Sequence, residues 1–239
     1  MEVRTEPLTN RAVVNARQVA NAPPAATARP TTVALVACLL AFAWLCLEVA
    51  RDNTRTVDDS ILAWVAGQRS PVWTVIATDL TALGSPTLLT LAAILVTAGL
   101  WASGRRLVSV QTAAACSAAA LVTNATKILL ARPRPPLAGH LLGVTGFSFP
   151  SGHASGIAAL LTVTALHTIE AAPSRGRRLF LAAVHAALIF GVGWSRVYLG
   201  VHHASDVLAG ICVGVACALG VHTLVRRPAI ARRLSGRHR

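Results

Sequence analysis

The sequence predicts an all-α fold, a polytopic membrane bundle of about six transmembrane helices. Three observations predict it. Of the 239 residues, 54% are hydrophobic and only 13% charged, with a mean hydropathy of +0.59; soluble domains carry about 25% charged residues. Apolar runs recur that are long enough to cross a bilayer, which takes roughly 17–25 residues per helix. The basic residues sit beside these runs rather than in a separate polar domain. That arrangement argues against nucleic acid as the partner of the +13 net charge and fits the enrichment of Arg and Lys in cytoplasmic loops.

Residues 1–30 are rich in Ala, Pro and Arg and carry Glu2 and Glu6. They are too long and too polar for the n-region of a signal peptide, and a full-length apolar run follows. They read as a disordered cytoplasmic tail ahead of an uncleaved span. The six-span domain is expected over 31–225, beginning with TTVALVACLLAFAWLCLEVA at 31–50. Residues 57–80 are partly apolar but interrupted by Asp58, Asp59, Arg69 and Asp79, so they read as a loop with interfacial or short buried helices. The remaining spans are expected at 82–103, 107–131, 152–170, 179–196 and 206–225. Residues 226–239 read as a basic cytoplasmic tail, either a binder of anionic lipid at that surface or simply a topology signal. Cys38, Cys46, Cys116, Cys212 and Cys217 all fall inside expected spans without CxxC spacing. They read as small apolar packing residues and imply no disulfide framework.

Six spans put both termini and two loops on one side. That side holds 15 of the 22 basic residues and the other holds 7, so the termini are expected to be cytoplasmic. The loops at 51–81, 132–151 and 197–205 then face outward. The bias to Arg over Lys and the Ala-rich composition suit a bacterial plasma membrane.

Counting spans brings three polar clusters to this outward surface. KILLARPRP (127–135) closes the third span. Lys127 and Arg134 are seven residues apart, about two helical turns, and Pro133, Pro135 and Pro136 end the helix so that Arg134 folds back toward Lys127. Lys127 is the single lysine among 22 basic residues, and an ionisable group within a span is a functional candidate. FSFPSGHASG (147–156) opens the fourth span. Ser151 suits an N-cap, and the free N–H groups at Gly152 and beyond make an anion site at the positive end of the helix dipole. His153 adds a titratable donor there. SRVYLGVHHASD (195–206) joins the last two spans. A helix beginning near His202 would stack His202 over Asp206, four residues on. A carboxylate there accepts a hydrogen bond from Nδ1–H and leaves Nε2 with its lone pair toward the site. Arg196 supplies a planar fork for phosphate oxygens.

Three cations, a helix N-terminus, two histidines and one orienting carboxylate suit a tetrahedral oxyanion such as phosphate. Asp52, Asp58 and Asp59 belong to a different loop and Asp206 already has a partner, so no carboxylate cluster is expected to hold a metal. No metal or cofactor is expected.

These clusters resemble the three motifs of the type 2 phosphatidic acid phosphatase family, whose relatives include the haloperoxidases. K-x6-R-P reads Lys127 to Arg134-Pro135, P-S-G-H reads Pro150-Ser151-Gly152-His153, and S-R-x5-H-x3-D reads Ser195-Arg196 with His202 and Asp206. Every fixed position matches in order, as does the span count. The motif core covers about 127–206 and the whole resemblance about 31–225.

The resemblance implies catalysis by His202, His153 and Asp206. His202 would attack phosphorus, Asp206 would orient it, and His153 would protonate the leaving oxygen. Lys127, Arg134, Arg196, Ser151 and the Gly152 amide would hold the phosphate oxygens. It further implies a metal-independent lipid phosphate or diphosphate phosphatase. Polyprenyl diphosphate, phosphatidylglycerophosphate and phosphatidate are unranked substrates. A transport protein or non-catalytic binder of a phosphate-like anion is the alternative. Soluble haloperoxidases fit poorly with six spans, and an inactive relative fits poorly with intact His153, His202 and Asp206. His203 is expected to point away from its neighbour, and His140 lies in the outer loop outside the motifs, with substrate contact left open.

Overall fold

A computed structural model describes residues 28–136 and 140–226. Among these it has eight helices and no strand. They are α1 (Ala28–Ala50), α2 (Arg55–Gly67), α3 (Pro71–Leu83), α4 (Pro86–Ala102), α5 (Arg106–Leu130), α6 (Gly152–Glu170), α7 (Arg175–Tyr198) and α8 (Ala204–Val225). The expected tails at 1–27 and 227–239 lie outside the described residues. The first helix starts slightly earlier than the expected span, at Ala28.

Five helices, α1 and α5 to α8, are long and apolar enough to cross a membrane. The sixth candidate crossing differs from the sequence expectation. It is a pair, α3 and α4, bent by 47° and long and apolar enough together to count as one span. The expected span at 82–103 took in only its second half, because the single charge of Asp79 interrupts the otherwise apolar α3. The break has a local cause. Gly84 ends α3, and Ser85 starts α4 by accepting a hydrogen bond from the Leu88 amide, with Pro86 in the first turn. Proline is preorganised there and has no N–H to donate to the preceding turn.

Other boundaries follow the same chemistry. Ser70, Ser151 and Ser174 each cap a helix by accepting from the amide three residues on. Ala131 adopts a left-handed conformation (φ 44°) and ends α5; the ring of Pro133 disfavours a helical Arg132 as well. The last helix begins two residues later than expected from a start near His202. His203 is its N-cap, and Asp206 reaches back to the His203 amide in a capping box.

Helices α6 and α8 form the core pair, flanked by α1, α5 and α7. Their backbones meet at Gly210 and Gly214, where an added Cβ would lie 2.5 Å from the Ser151 carbonyl and 2.3 Å from the Ser155 carbonyl. Small residues four apart let helices approach when no hydrophobic effect drives them together. Large apolar side chains such as Leu40, Trp44, Leu121, Leu129 and Phe180 face outward from the bundle, as a lipid-facing surface requires. The buried polar side chains gather mainly at one end, where α5 stops, α6 and α8 start and α7 stops.

Candidate active site

The first half of the site is built on the start of α8. His202 is 2% exposed and Asp206 fully buried. His202 Nδ1 lies 3.3 Å from Asp206 Oδ2, which also accepts from the His203 amide at 2.9 Å. On its other side, His202 Nε2 lies 3.2 Å from Arg134 Nη1. A guanidinium can only donate. Both contacts therefore suit one tautomer, with the proton on Nδ1 toward the carboxylate and the lone pair on Nε2. Burial pushes the His202 imidazole down to about 4, outweighing the opposing pull of Asp206. The ring is neutral and nucleophilic at neutral pH.

The second half comes from α6. The Ser151 amide donates to the Asp206 carbonyl at 2.9 Å, which ties the two helix starts together. Gly152 and His153 open α6 above this bond. His153 lies within electrostatic range of Arg196, His202, Arg134 and Lys127, so the three clusters do converge. The break between α3 and α4 forms a wall of the same space: a Cβ on Gly84 would sit 3.2 Å from His153 Cβ.

The cations are held by different means. Arg196 is 2% exposed. Its Nη1 donates to Thr81 Oγ1 at 2.6 Å, and its Nε is buried with no partner among the described residues. Such a donor is a costly group to leave unpaired and suits an incoming oxyanion. Lys127 Nζ donates to the Phe147 carbonyl at 2.7 Å and the Ser148 carbonyl at 3.3 Å. Arg134 donates to the carbonyls of Thr145, Gly146 and Val201. The segment 145–148 is thus strapped to the site by the two basic residues of the first cluster.

Every expected site residue lies at this end. Two expectations change in detail. His202 precedes α8 rather than opening it, so its alignment with Asp206 comes from the capping turn and not from helical stacking. His203 does not simply point away: its Nδ1 lies 3.4 Å from Asp206 Oδ2. His140 contacts the Pro135 carbonyl at 2.9 Å within its own loop.

Sequence reasoning missed Thr81, Asp58, Arg132 and Ser205. Asp58 does not belong to a separate loop environment. It is 2% exposed and lies 2.8 Å from Arg132 Nη2, whose Nη1 is 2.6 Å from Asp206. Arg132 was legible only as a neighbour of Arg134, and nothing local marks Thr81. Among the described residues, no three His, Cys, Asp or Glu side chains converge as a metal site.

A groove of about 750 Å³ opens beside the site between α4, α5 and α6. It runs from Gly152 and Ser155 to Trp101 at the far end of α4, past Leu89, Ala93 and Ala120. Its wall is largely aliphatic, with a few hydroxyls. A neutral imidazole facing three cations, with an apolar groove alongside, is suited to an amphiphile with a phosphate head.

Phosphatidylglycerophosphatase B of Bacillus subtilis is 29% identical over 184 residues, covering 75% of this chain and 89% of that protein. The crystal structure of the transmembrane PAP2 type phosphatidylglycerolphosphate phosphatase from Bacillus subtilis superposes with a TM-score of 0.74 at 25% identity. It covers 81% of this chain and 96% of that one. The crystal structure of Aquifex aeolicus LpxE shares the fold, with a TM-score of 0.58 at 23% identity over 70% of this chain and 95% of that one. The PAP2 superfamily profile matches residues 109–229, from the buried turns of α5 past the end of α8 and across all three polar clusters. The chain belongs to the PAP2 superfamily.

Proposed function

We propose that this chain is an integral membrane lipid phosphate phosphatase that works through a phosphohistidine on the extracytoplasmic side. The observation that carries the reading is the double contact of His202, with Nδ1 on Asp206 and Nε2 on Arg134. In the first step, Nε2 attacks phosphorus, the bond to the leaving oxygen breaks, and His153 gives that oxygen its proton. Asp206 holds the ring as it becomes cationic. Lys127, Arg134, Arg196, Ser151 and the Gly152 amide hold the phosphoryl oxygens while charge redistributes. In the second step, His153 takes a proton from water. The water oxygen bonds to phosphorus, the P–N bond breaks, and inorganic phosphate leaves with His202 neutral again.

The substrate's tails occupy the groove between α4, α5 and α6, and the head reaches the site past Gly152. The named relative makes phosphatidylglycerophosphate the first substrate to try, with polyprenyl diphosphate and phosphatidate beside it. The arginine asymmetry between the two ends supports cytoplasmic termini and an outward site in a bacterial plasma membrane. No metal enters either step.

The test is phosphate release by purified protein in detergent containing EDTA, on a panel of these lipids, with His202→Ala alongside. Release by the wild type and none by the variant is expected. Folded wild type that binds lipid phosphate without releasing phosphate would favour a non-catalytic or transport protein. Release that stops with EDTA would overturn the metal-free mechanism.

A further inference from the structure

The carboxylate that orients His202 belongs to a larger buried charge network. Arg132 is 9% exposed. Its Nη1 donates to Asp206 Oδ1 at 2.6 Å and to Ser205 Oγ at 2.7 Å. Its Nη2 donates to Asp58 Oδ2 at 2.8 Å and to Thr54 Oγ1 at 3.1 Å. Asp58 in turn accepts from the Ser205 amide at 3.0 Å and from the Ser205 hydroxyl at 2.6 Å. The network joins α2, the turn after α5 and the first turn of α8. Neither Asp58 nor Arg132 has a part in the proposed chemistry.

Charge counting gives the network a purpose. A buried Asp206 beside a neutral His202 presents one negative charge. Arg132 alone would cancel it, and the ring that becomes cationic when Nε2 bonds phosphorus would lose its counter-ion. Asp58 restores the balance, since two carboxylates around one guanidinium leave a net charge of −1. Burial works against the charge on Arg132, but Asp206 and Asp58 outweigh it and hold the guanidinium above its ordinary value. The geometry also divides the labour on Asp206, with Oδ1 pinned by Arg132 and Oδ2 left to His202 and the α8 cap.

We infer that Asp58 and Arg132 are positioning residues for the phosphoryl-transfer histidine. Arg132 aims Asp206, and Asp58 keeps the Arg132–Asp206 pair from being neutral. Helix α2, which does not cross the membrane, carries one half of this device into the site. The inference rests on the phosphatase reading above.

The test is a charge-balance cycle on the full chain in detergent, with kcat and KM measured per folded, monodisperse enzyme on a lipid phosphate that the wild type hydrolyses. Asp58→Asn leaves the network neutral and Arg132→Gln leaves it at −2. Each should lower kcat by about 10- to 100-fold, as expected when an orienting partner of a reacting histidine is lost, with KM within about 3-fold. The double variant Asp58→Asn/Arg132→Gln returns the network to −1 and should recover about 10-fold of the kcat lost by Asp58→Asn, since coupled sites are not additive. A merely structural role gives additive losses, or lowers Tm with kcat per folded enzyme unchanged, and either result overturns the inference. If Asp58→Asn does not yield folded enzyme, Ser205→Ala decides. It keeps all charges and removes one contact to Asp58 and one from Arg132, and an unchanged kcat overturns the inference. A wild type that releases no phosphate defeats the phosphatase reading itself, a separate outcome.

Discussion

Replacing Gly214 with alanine should disable this protein from the middle of a helix that touches no substrate there. The added Cβ would lie 2.3 Å from the Ser155 carbonyl oxygen and 2.7 Å from both Ala158 Cβ and the Ala159 nitrogen. These are backbone and Cβ atoms, and none can rotate away. Carbon contacts become favourable at about 3.5 Å, so α8 must retreat from α6 by about 1 Å. Alanine in a helix interior normally gains about 1 kcal/mol over glycine. Overpacking costs about 1–3 kcal/mol, and a backbone obstacle places this site at the upper end, so the net effect is a loss of stability. The same interface carries the bond from the Ser151 amide to the Asp206 carbonyl two turns away. A displacement of about 1 Å there separates the PSGH helix start from His202, and misplacement of that size costs about 100-fold in rate. The assay pairs Tm in detergent with kcat on a lipid phosphate. Gly220→Ala on the same helix is the control, because its nearest atom would be Leu35 Cδ1 at 3.9 Å; it should hold or raise Tm and leave kcat unchanged. If Gly214→Ala matches Gly220→Ala in both measurements, close α6–α8 contact does not set the geometry of the site.

Other expectations follow from individual contacts. Thr81→Val removes the hydroxyl that accepts from buried Arg196 and should lower kcat/KM by about 10- to 100-fold, the effect of about 1.5–3 kcal/mol for a hydrogen bond to a charged group, while Thr81→Ser should restore most of it. His202 titrates near 4 in the folded chain against an ordinary 6.5, so the unfolded chain takes up the proton first on acidification. The stability tied to His202 is therefore complete above about pH 6.5 and declines toward pH 4. Wild-type Tm should fall more than that of His202→Gln between these limits, and parallel curves would contradict the burial argument. Ala120→Trp puts a large ring into the groove beside the site and should raise KM for long-chain lipid phosphates while sparing a short water-soluble phosphate ester. Equal effects on both substrates would remove the groove from the binding path.

Much of the site was legible because its chemistry is concentrated in short segments. Lys127 with Arg134, Ser151 with His153, and His202 with Asp206 are each separated by no more than seven residues. A span count then carries all three to one surface. Span edges were readable to within a few residues where a serine cap or a proline marks the turn. The bent pair α3–α4 was not, since Asp79 put α3 into a loop and the span expected at 82–103 ran straight through the break at Gly84–Ser85–Pro86.

The sequence by itself determined the membrane class, the chemical types of the candidate site residues and their common end of the bundle, because hydropathy, charge and helix-ending residues act locally. Tertiary structure alone decided how the site is held. Thr81 meets Arg196 across 115 residues, and Asp58 meets Ser205 across 147. It also decided that His202 is aligned by a capping turn rather than by a helix face, and that Asp206 shares its charge with Arg132 and Asp58. Each of these depends on which helices pack together and how closely. Gly210 and Gly214 permit that approach, but only the assembled bundle puts the Ser151 and Ser155 carbonyls against them.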